Sequence, residues 1–334
     1  MSADRVVAVT MGDPAGVGPE IVAKVLAEAP SERAVVVGDA AIMRRAVELL
    51  SLPLEVNVIG SPGDARFDRE AIDLIAASEL PDDLPFGAVD ERAGDAAYRY
   101  VRRAVELALA DEVHAIATAP LNKEAMHRAG HEYPGHTELL AELCDVSDYA
   151  MMLVGEGLRV VHVSTHVSLE DAIRRVTPER EITVIRLADG ALRELGVERP
   201  RVAVAGLNPH AGENGLFGNE DAERIAPAVR AAQEEGIDAS GPWPADTVFM
   251  QARRGRFDVV VVQYHDQGHI PIKLLGFDTG VNVTVGLPFF RTSVDHGTAF
   301  DIAGTGEADP ASMKAALELA AELARPQGRH DEAA

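Results

Sequence analysis

Short apolar segments alternate with helical segments from the start of this chain, and this alternation limits the fold more than any other feature. Residues 6–11, 34–38 and 54–59 have the length and composition of buried strands, and amphipathic segments separate them. Strands joined by helices form a parallel sheet with helices on its faces. The sequence therefore predicts an α/β fold, and 334 residues are enough for two lobes of this kind.

Three histidines follow the ends of predicted strands. His166, His210 and His265 each stand immediately or shortly after an apolar strand. Because the strands of one parallel sheet deliver their ends to a common edge, we expect these side chains to converge. Three histidines with one open position form a standard site for a divalent catalytic metal, and Asp246 and Asp266 are suited to orient an imidazole or accept a proton. Three separate loop histidines are the alternative.

Other polar residues suit an anionic substrate. Residues 242–301 contain three such residues near glycines or strand ends, which are Lys273, Asn282 and Arg291. Lysine and arginine are the usual partners of phosphate and carboxylate. His136 and Thr137 follow a Pro-Gly turn at the start of a predicted helix, where the helix N-terminus favours an anion. In the alternative reading, Thr137 only caps the helix and Arg291 makes a structural ion pair.

The charge of the chain restricts its partners. A formal net charge of −23 argues against nucleic acid or an anionic membrane as a partner. The single cysteine, Cys144, excludes an internal disulfide, and neither a signal peptide nor a membrane-spanning run is recognisable. We therefore expect a cytoplasmic protein. Only four residues are lysine, and an acidic protein that binds an acidic substrate needs a local cationic pocket or a metal.

Two segments depart from the regular pattern. The turn GDPAGVGPE, residues 12–20, joins a strand to a helix, and such turns often lie against a phosphate or cofactor. It lacks the GxGxxG fingerprint, so a simple tight turn is the alternative. Residues 60–90 contain several Pro, Gly and Asp residues and are predicted to be an excursion from the sheet.

Eight motifs together resemble the 4-hydroxythreonine-4-phosphate dehydrogenase family. The match covers essentially residues 5–325, and the motifs read GDPAGVGPE, TAPLNKEA, GHTE, STH, GLNPHAGE, PADT, YHDQG and GLPFFRTSVDHGTAFDIAG. The resemblance implies two α/β/α lobes of the isopropylmalate dehydrogenase type with the active site in the cleft between them. It also implies a homodimer in which both subunits contribute to each active site.

The resemblance also implies residue roles. One divalent metal per site, which could be Zn, Co, Ni, Mn or Mg, would be held by His166, His210 and His265 across the dimer interface. The substrate-binding set that the resemblance implies is His136, Thr137, Lys273, Asn282 and Arg291.

A second, more distant resemblance concerns the nucleotide. Residues 296–310, HGTAFDIAGTGEADP, are similar to the nucleotide-binding loop of isopropylmalate and isocitrate dehydrogenases. This implies NAD, with NADP as the alternative, and Asp301 is suited to a ribose hydroxyl. Residues 1–130 and 285–334 are assigned to the nucleotide-side lobe, and residues 131–284 to the metal, substrate and dimerisation lobe. The cofactor-binding residues implied are His296, Gly297, Thr298 and Asp301.

The implied reaction is a metal-dependent oxidation, with decarboxylation, of a 4-phosphorylated 3-hydroxy acid, with hydride transfer to NAD. Lys273, Asp246 and Asp266 are the candidate proton carriers. Tyr133-Pro134 and residues 269–277 favour a paralogous branch that acts on 4-phospho-D-threonate or 4-phospho-D-erythronate. The vitamin B6-pathway enzyme is the alternative within the family. A non-redox phospho-acid-binding protein, a metal-dependent lyase and a phosphate acyltransferase are the alternatives outside it.

Overall fold

The computed structural model describes residues 5–28, 32–276 and 280–324, and the chain divides into two compact units. The first unit comprises Met1–Ser147 and Leu287–Ala334, and the second comprises Asp148–Gly286. Residues 131–147 therefore lie in the first unit, whereas the sequence-based assignment places them in the substrate lobe. His136 and Thr137 move to the first unit with this segment.

Twelve strands are formed by the described residues. In chain order they are β1 (Val6–Thr10), β2 (Arg33–Gly38), β3 (Glu55–Ile59), β4 (Ala71–Ala76), β5 (Ala115–Thr118), β6 (Ala150–Gly155), β7 (Leu158–His162), β8 (Arg201–Ala205), β9 (Asp238–Trp243), β10 (Val259–Val262), β11 (Val281–Val285) and β12 (Phe290–Ser293). Most are short, apolar and buried, as the sequence pattern predicts.

Eleven α-helices accompany these strands within the same described ranges. They are α1 (Gly18–Ala27), α2 (Ala40–Leu49), α3 (Glu91–Leu109), α4 (Lys123–Arg128), α5 (His136–Leu143), α6 (Leu169–Arg175), α7 (Pro178–Glu194), α8 (Ala226–Glu234), α9 (Ala245–Arg253), α10 (His265–Leu275) and α11 (Ala311–Ala324). The alternation of strands and helices confirms the predicted α/β class.

The first unit contains a parallel sheet with the strand order β3-β4-β2-β1-β5-β12. Hydroxyl-bearing residues lie side by side at its carboxyl edge. There Thr10 of β1 pairs with Thr118 of β5, and Thr118 pairs with Ser293 of β12. Loops leaving β1 and β5 meet at this edge, where Asp13 N–H donates to the Pro120 carbonyl at 2.8 Å. The fold therefore brings the motif after β1 close to the motif after β5.

The second unit contains a mixed sheet with the strand order β11-β6-β7-β10-β8-β9. β6 pairs antiparallel with β7 in a hairpin, and β11 is antiparallel to β6. β7, β10, β8 and β9 are parallel. His166, His210 and His265 follow β7, β8 and β10, so the parallel part of the sheet directs all three loops to the same edge.

Three elements differ from the sequence-based expectation. Residues 60–90 contain β4, whose central Asp73 breaks the apolar pattern and is buried because it accepts hydrogen bonds from Asn57 and the Phe67 N–H. Residues 241–243, which include Gly241 and Pro242, form the end of β9 although glycine and proline are unfavourable in strands. The residues after Tyr264 form α10, although Pro271 lies inside it and normally disfavours a helix interior.

A buried carboxyl group lies beneath the sheet of the second unit. Glu181 of α7 is fully buried, and this burial raises the pKa of its carboxyl group to about 8, against the opposing influence of Gln263 and Arg180. Because the pKa is raised on folding, the folded state is most stable below the ordinary value of 4.5. It loses stability as the pH rises towards 8.

We expect the substitution Glu181→Gln to remove this pH dependence. The wild type should lose roughly 2–4 kcal/mol of unfolding free energy between about pH 5 and about pH 9 relative to the variant. Urea unfolding across that pH range measures the difference. Glu179→Gln, at an exposed position of the same helix, controls for the loss of one negative charge. Parallel pH curves for wild type and Glu181→Gln would contradict the expectation.

Candidate active site

A buried arginine lies at the centre of the candidate site in the first unit. Arg291 is the second residue of β12 and only 2% exposed, and its Nε and Nη2 atoms donate to Thr118 Oγ1 at 3.1 and 2.7 Å. Thr118 in turn donates to the Thr292 carbonyl. Burial lowers the pKa of the Arg291 guanidinium to about 9, so the group remains protonated at neutral pH. The site thus holds a desolvated positive charge.

His136 lies beside this charge. It is the first residue of α5, and its pKa is held well below the ordinary value by burial and by the positive charges of Arg291 and Lys123. The imidazole is therefore neutral at pH 7. Its Nε2 atom is buried and has no hydrogen-bond partner among the described residues. Buried polar atoms are normally paired, so this atom is available to a ligand.

Thr137 occupies the first turn of α5 and does not cap the helix. The N-cap is Gly135, and no side chain makes a capping hydrogen bond there. The reading in which Thr137 serves only as a cap is therefore wrong. The N–H groups of this first turn are left to be satisfied by solvent or by an anion.

The segment that leads into His136 is anchored on both sides. The His131 ring stacks on Tyr98 with 3.8 Å between ring centroids, and its Nε2 lies 3.0 Å from Asp95 Oδ1. Tyr133 donates from its hydroxyl to Glu142 in α5 at 2.8 Å. These contacts hold the approach to α5 against α3 and so fix the position of His136.

The predicted nucleotide loop packs against the turn that follows β1. Val17 N–H donates to the Thr298 carbonyl at 3.0 Å, and a side chain at Gly16 would collide with Thr298. Glu20 accepts hydrogen bonds from the N–H groups of Gly304 and Gly306. The two motifs that the sequence singles out separately thus form one structure.

The remaining residues of this loop are open to solvent. His296, Gly297 and Asp301 are exposed, whereas Thr298 is buried. A side chain at Gly297 would meet no atom within 4 Å, so the backbone there is accessible. Accessible glycine backbone with an exposed carboxylate is chemically suited to a nucleotide and its ribose hydroxyls. The residue types in this loop are therefore compatible with NAD.

His265 begins α10 in the second unit, and its ring has one nitrogen already engaged. Its Nδ1 lies 2.7 Å from Asp266 Oδ1, so Nδ1–H donates to the carboxylate and Nε2 keeps its lone pair for a ligand. His166 lies next to it, with 5.7 Å between ring centroids, and His269 stacks on it at 3.7 Å. The Asp266 carboxylate therefore lies where it can orient the imidazole of His265.

His210 lies in a strained turn. Residues 210–214 all have positive φ, between 43° and 81°, in a left-handed turn that only glycine adopts easily. Asp221 holds the base of this turn by accepting from the N–H groups of Leu207 and Asn208 at 2.8 and 3.1 Å. Strain of this kind is concentrated at functional sites.

The three predicted metal ligands are not brought together within one chain. His166 and His265 are neighbours, but the ring contact of His210 is with Phe217, at 6.1 Å. Among the described residues, no group of three His, Cys, Asp or Glu side chains is placed to hold a metal ion. The donor chemistry fits a divalent metal, whereas the single chain supplies only part of a ligand set.

The other predicted residues of the second unit differ in exposure. Lys273 is half-buried in the last turn of α10, and Asp246 is exposed in the first turn of α9. Asn282 of β11 has a buried Oδ1 atom with no hydrogen-bond partner among the described residues. This unpaired oxygen is suited to accept a hydrogen bond from a ligand hydroxyl.

Two residues near the site were missed by the site assignment from sequence. Asp13 is buried after β1, and burial raises the pKa of its carboxyl group to about 7, opposed by a hydrogen bond from the Ala15 N–H. Lys123 lies near His136 and was indicated only by the scarcity of lysine in the chain. Asp13 lies in the GDPAGVGPE motif and Lys123 in TAPLNKEA, but the motifs assign neither residue a role of its own.

Comparison with known proteins identifies the family. The family model of the pyridoxal phosphate biosynthetic protein PdxA matches residues 30–320. The D-threonate 4-phosphate dehydrogenase of Pectobacterium atrosepticum is 55% identical over 96% of this chain and 99% of its own length. The 4-hydroxythreonine-4-phosphate dehydrogenase of Beijerinckia indica is 50% identical over 97% and 96%. This chain belongs to the PdxA family.

Membership in the PdxA family confirms the resemblance seen in the motifs and supports an oxidoreductase. A crystal structure of the 4-hydroxythreonine-4-phosphate dehydrogenase from Klebsiella pneumoniae superposes with a TM-score of 0.91 and is 54% identical, covering 96% of this chain and 99% of that one. The PdxA fold is therefore present over nearly the whole chain. Within its described residues, no helix has the length and apolar character needed to cross a lipid bilayer.

The strain at the His210 turn leads to a stability prediction. Ala211 has a φ of 53°, so Ala211→Gly should raise the unfolding free energy by about 1 kcal/mol. Ala231→Gly, inside α8, should lower it by about 1 kcal/mol. Urea unfolding in the presence of a metal chelator measures both without a contribution from bound metal. Equal destabilisation by both substitutions would show that the turn is not strained.

Proposed function

We propose that this protein oxidises the 3-hydroxyl group of a 4-phosphorylated 3-hydroxy acid with NAD, and that 4-phospho-D-threonate is its substrate. The desolvated Arg291 beside the unpaired Nε2 of His136 carries the proposal, because it forms a binding site for an anion. Relatives named D-threonate 4-phosphate dehydrogenase, at 51–55% identity, support the choice of acid.

Arg291, His136 and Thr137 would bind the anionic end of the substrate. The guanidinium supplies charge-assisted hydrogen bonds, and His136 supplies a neutral imidazole nitrogen. The first-turn N–H groups of α5 add further donors. Because Arg291 is already desolvated in the folded protein, an anion regains interactions that the guanidinium lost on burial.

The remaining predicted residues would act on the reacting carbons. Asn282 Oδ1 accepts a hydrogen bond from a substrate hydroxyl, and Lys273, or alternatively Asp246 or Asp266, takes the proton of the 3-hydroxyl group. NAD, when bound by His296, Gly297, Thr298 and Asp301, supplies the acceptor for the hydride from carbon 3. The resulting β-keto acid loses its carboxylate as CO₂, and the enolate left behind takes up one proton.

A divalent metal belongs to the proposal as well. His166, His210 and His265 would hold it, with Asp266 fixing the ring of His265, and it would supply Lewis-acid polarisation of the substrate oxygens. Since one chain brings only two of these histidines together, the full ligand set needs a second copy of the chain. The metal proposal and the homodimer proposal therefore depend on each other.

Exposed apolar side chains in the second unit support a homodimer. Leu169, Leu216 and Ile270 are 59%, 72% and 56% exposed, and each lies a few residues after one of the three histidines. Leu274 of α10 is 81% exposed. Large apolar side chains as exposed as these often become buried against a partner. The loops that carry the metal ligands are thus the ones expected to contact the second copy.

Within the family, 4-hydroxy-L-threonine 4-phosphate is the second candidate substrate. Relatives named 4-hydroxythreonine-4-phosphate dehydrogenase include sequences that are 49–50% identical to this chain and the Klebsiella pneumoniae crystal structure at 54%. That acid carries an amine where threonate carries the 2-hydroxyl group, and its phosphate, carboxylate and 3-hydroxyl group are unchanged. Arg291 and His136 would therefore bind both acids equally.

The substrate proposal predicts a ranking in a matched kinetic assay. NADH formation is followed with 4-phospho-D-threonate, 4-phospho-D-erythronate, 4-hydroxy-L-threonine 4-phosphate and unphosphorylated D-threonate, each with Zn²⁺, Co²⁺ or Mn²⁺. We expect the highest kcat/KM with 4-phospho-D-threonate. The kcat/KM of unphosphorylated D-threonate should be lower by about 100-fold or by a larger factor. The highest kcat/KM with the amino acid would establish the vitamin B6 substrate. No NADH with any phosphorylated acid would support a non-redox binding protein or a lyase.

The dimer proposal predicts the effect of a charge at position 274. We expect Leu274→Glu to convert the protein to monomers and to lower its metal content, because a buried charge opposes association and the ligand set is then divided. Sedimentation equilibrium and metal analysis measure the two effects. Leu109→Glu, at a 53% exposed position of the first unit, is the control. A Leu274→Glu protein that remains dimeric would contradict the proposed interface.

A further inference from the structure

Lys123 makes no contact within the described residues that would explain why a lysine stands at this position. Two of the four lysines have clear roles, because Lys24 donates to the carbonyls of Gly306 and Ala308 and Lys314 pairs with Glu28. Lys123 is exposed at the first residue of α4, and the described residues offer its ammonium group neither a hydrogen bond nor an ion pair. Its sequence neighbour Glu124 pairs with Arg128 instead, at 2.6 Å.

The fold places Lys123 next to the start of α5. The loop after β5 ends at Asn122, whose side chain caps α4 by accepting from the Ala125 N–H at 2.9 Å. The Cε atom of Lys123 lies 3.9 Å from the position that a Cβ atom would take on Gly135, the residue before His136. The cap therefore fixes the helix start from which Lys123 reaches the candidate anion site.

Three basic side chains thus come together at one place in the first unit. Arg291 and Lys123 are the two positive charges that act on His136, and Glu138 is the carboxylate that acts on Arg291. Like charges at short range repel, and the repulsion is larger where water is excluded. His136 is neutral and Glu138 offsets one of the two positive charges, so the group keeps an excess of positive charge that favours a bound anion.

The chemistry of the three groups indicates a doubly charged anion. A carboxylate would be satisfied by the guanidinium alone, whereas a phosphate offers three terminal oxygens and up to two negative charges. Lysine acts as a point charge on a flexible stem, so it contacts a phosphate oxygen without demanding the planar geometry of a carboxylate. Lys123 would thus neutralise the second charge.

We propose that Lys123 binds the substrate phosphate together with Arg291 and His136, and that it selects phosphorylated acids over their unphosphorylated counterparts. The inference rests on the proposed function and names a residue that the family resemblance did not assign. Because Lys123 contacts the phosphate and not the reacting carbons, its interaction is the same in the ground state and the transition state. Its loss should raise KM and leave kcat nearly unchanged.

The test compares Lys123→Met and Lys123→Arg with the control Arg128→Met, which removes an exposed charge from the same helix. We expect Lys123→Met to raise KM for the phosphorylated acid about 10- to 100-fold, with kcat within about 3-fold of wild type. The unphosphorylated acid should react as with the wild type. Lys123→Arg should recover part of the affinity, and Arg128→Met should leave both acids unaffected.

Inorganic phosphate separates this inference from the proposed function. Its binding to the protein without NAD is measured by calorimetry, so the result does not depend on turnover. We expect weaker phosphate binding in Lys123→Met by about the same factor as the change in KM. If the wild type oxidises none of the acids but Lys123→Met still weakens phosphate binding, the proposed function fails and the phosphate site stands.

Several outcomes would overturn the inference. They are an equal loss of kcat/KM with phosphorylated and unphosphorylated acids, an increase in KM for NAD in place of the acid, and no change with either acid. Absence of inorganic phosphate binding in the wild type would overturn it as well. Thermal unfolding of each variant checks that the fold is retained, which we expect because Lys123 is exposed.

Discussion

The burial of one guanidinium group is the constraint on which the candidate site depends. Arg291 is positively charged and desolvated, and a charge in such a position is strongly destabilising unless hydrogen bonds and counter-charges compensate it. Thr118 supplies part of this compensation through the pairing of β5 with β12. The register of the sheet therefore fixes where the positive charge points. His136 is then positioned against it by the contacts that anchor the start of α5.

The second unit uses a different principle, in which loop geometry is held by buried polar contacts. Gln263 and Gln267 donate to the carbonyls of Ala205 and Gly206, so the loops after β10 and β8 are tied to each other. Asp221 fixes the base of the strained turn that carries His210. These contacts maintain histidine positions that the backbone alone would not favour.

The sequence predicted the parts of this protein that depend on local pattern. Short apolar runs gave most strands, and the motifs led to the family and to the loops that carry His166, His210 and His265. The prediction missed β4 because Asp73 interrupts its apolar pattern, and Asn57 compensates that carboxylate only in the folded sheet. It missed α10 because Pro271 is unfavourable inside a helix. The stacking of His269 on His265 depends on that helix, so it could not be predicted from the sequence either.

The site as a whole could be predicted only as a set of residues. Burial of Arg291, the unpaired nitrogen of His136 and the proximity of Lys123 are properties of packing, and no spacing in the sequence encodes them. The proton carrier among Lys273, Asp246 and Asp266 stays a prediction for the same reason. Its identity depends on distances to a bound substrate.

The most direct test of the account is a crystal structure of the protein with 4-phospho-D-threonate bound. We expect phosphate oxygens within hydrogen-bonding distance of the Arg291 guanidinium and of His136 Nε2. The hydrogen bonds from Arg291 to Thr118 should be retained. A phosphate bound away from both residues, with His136 Nε2 still unpaired, would contradict the claim that the buried arginine forms the anion site.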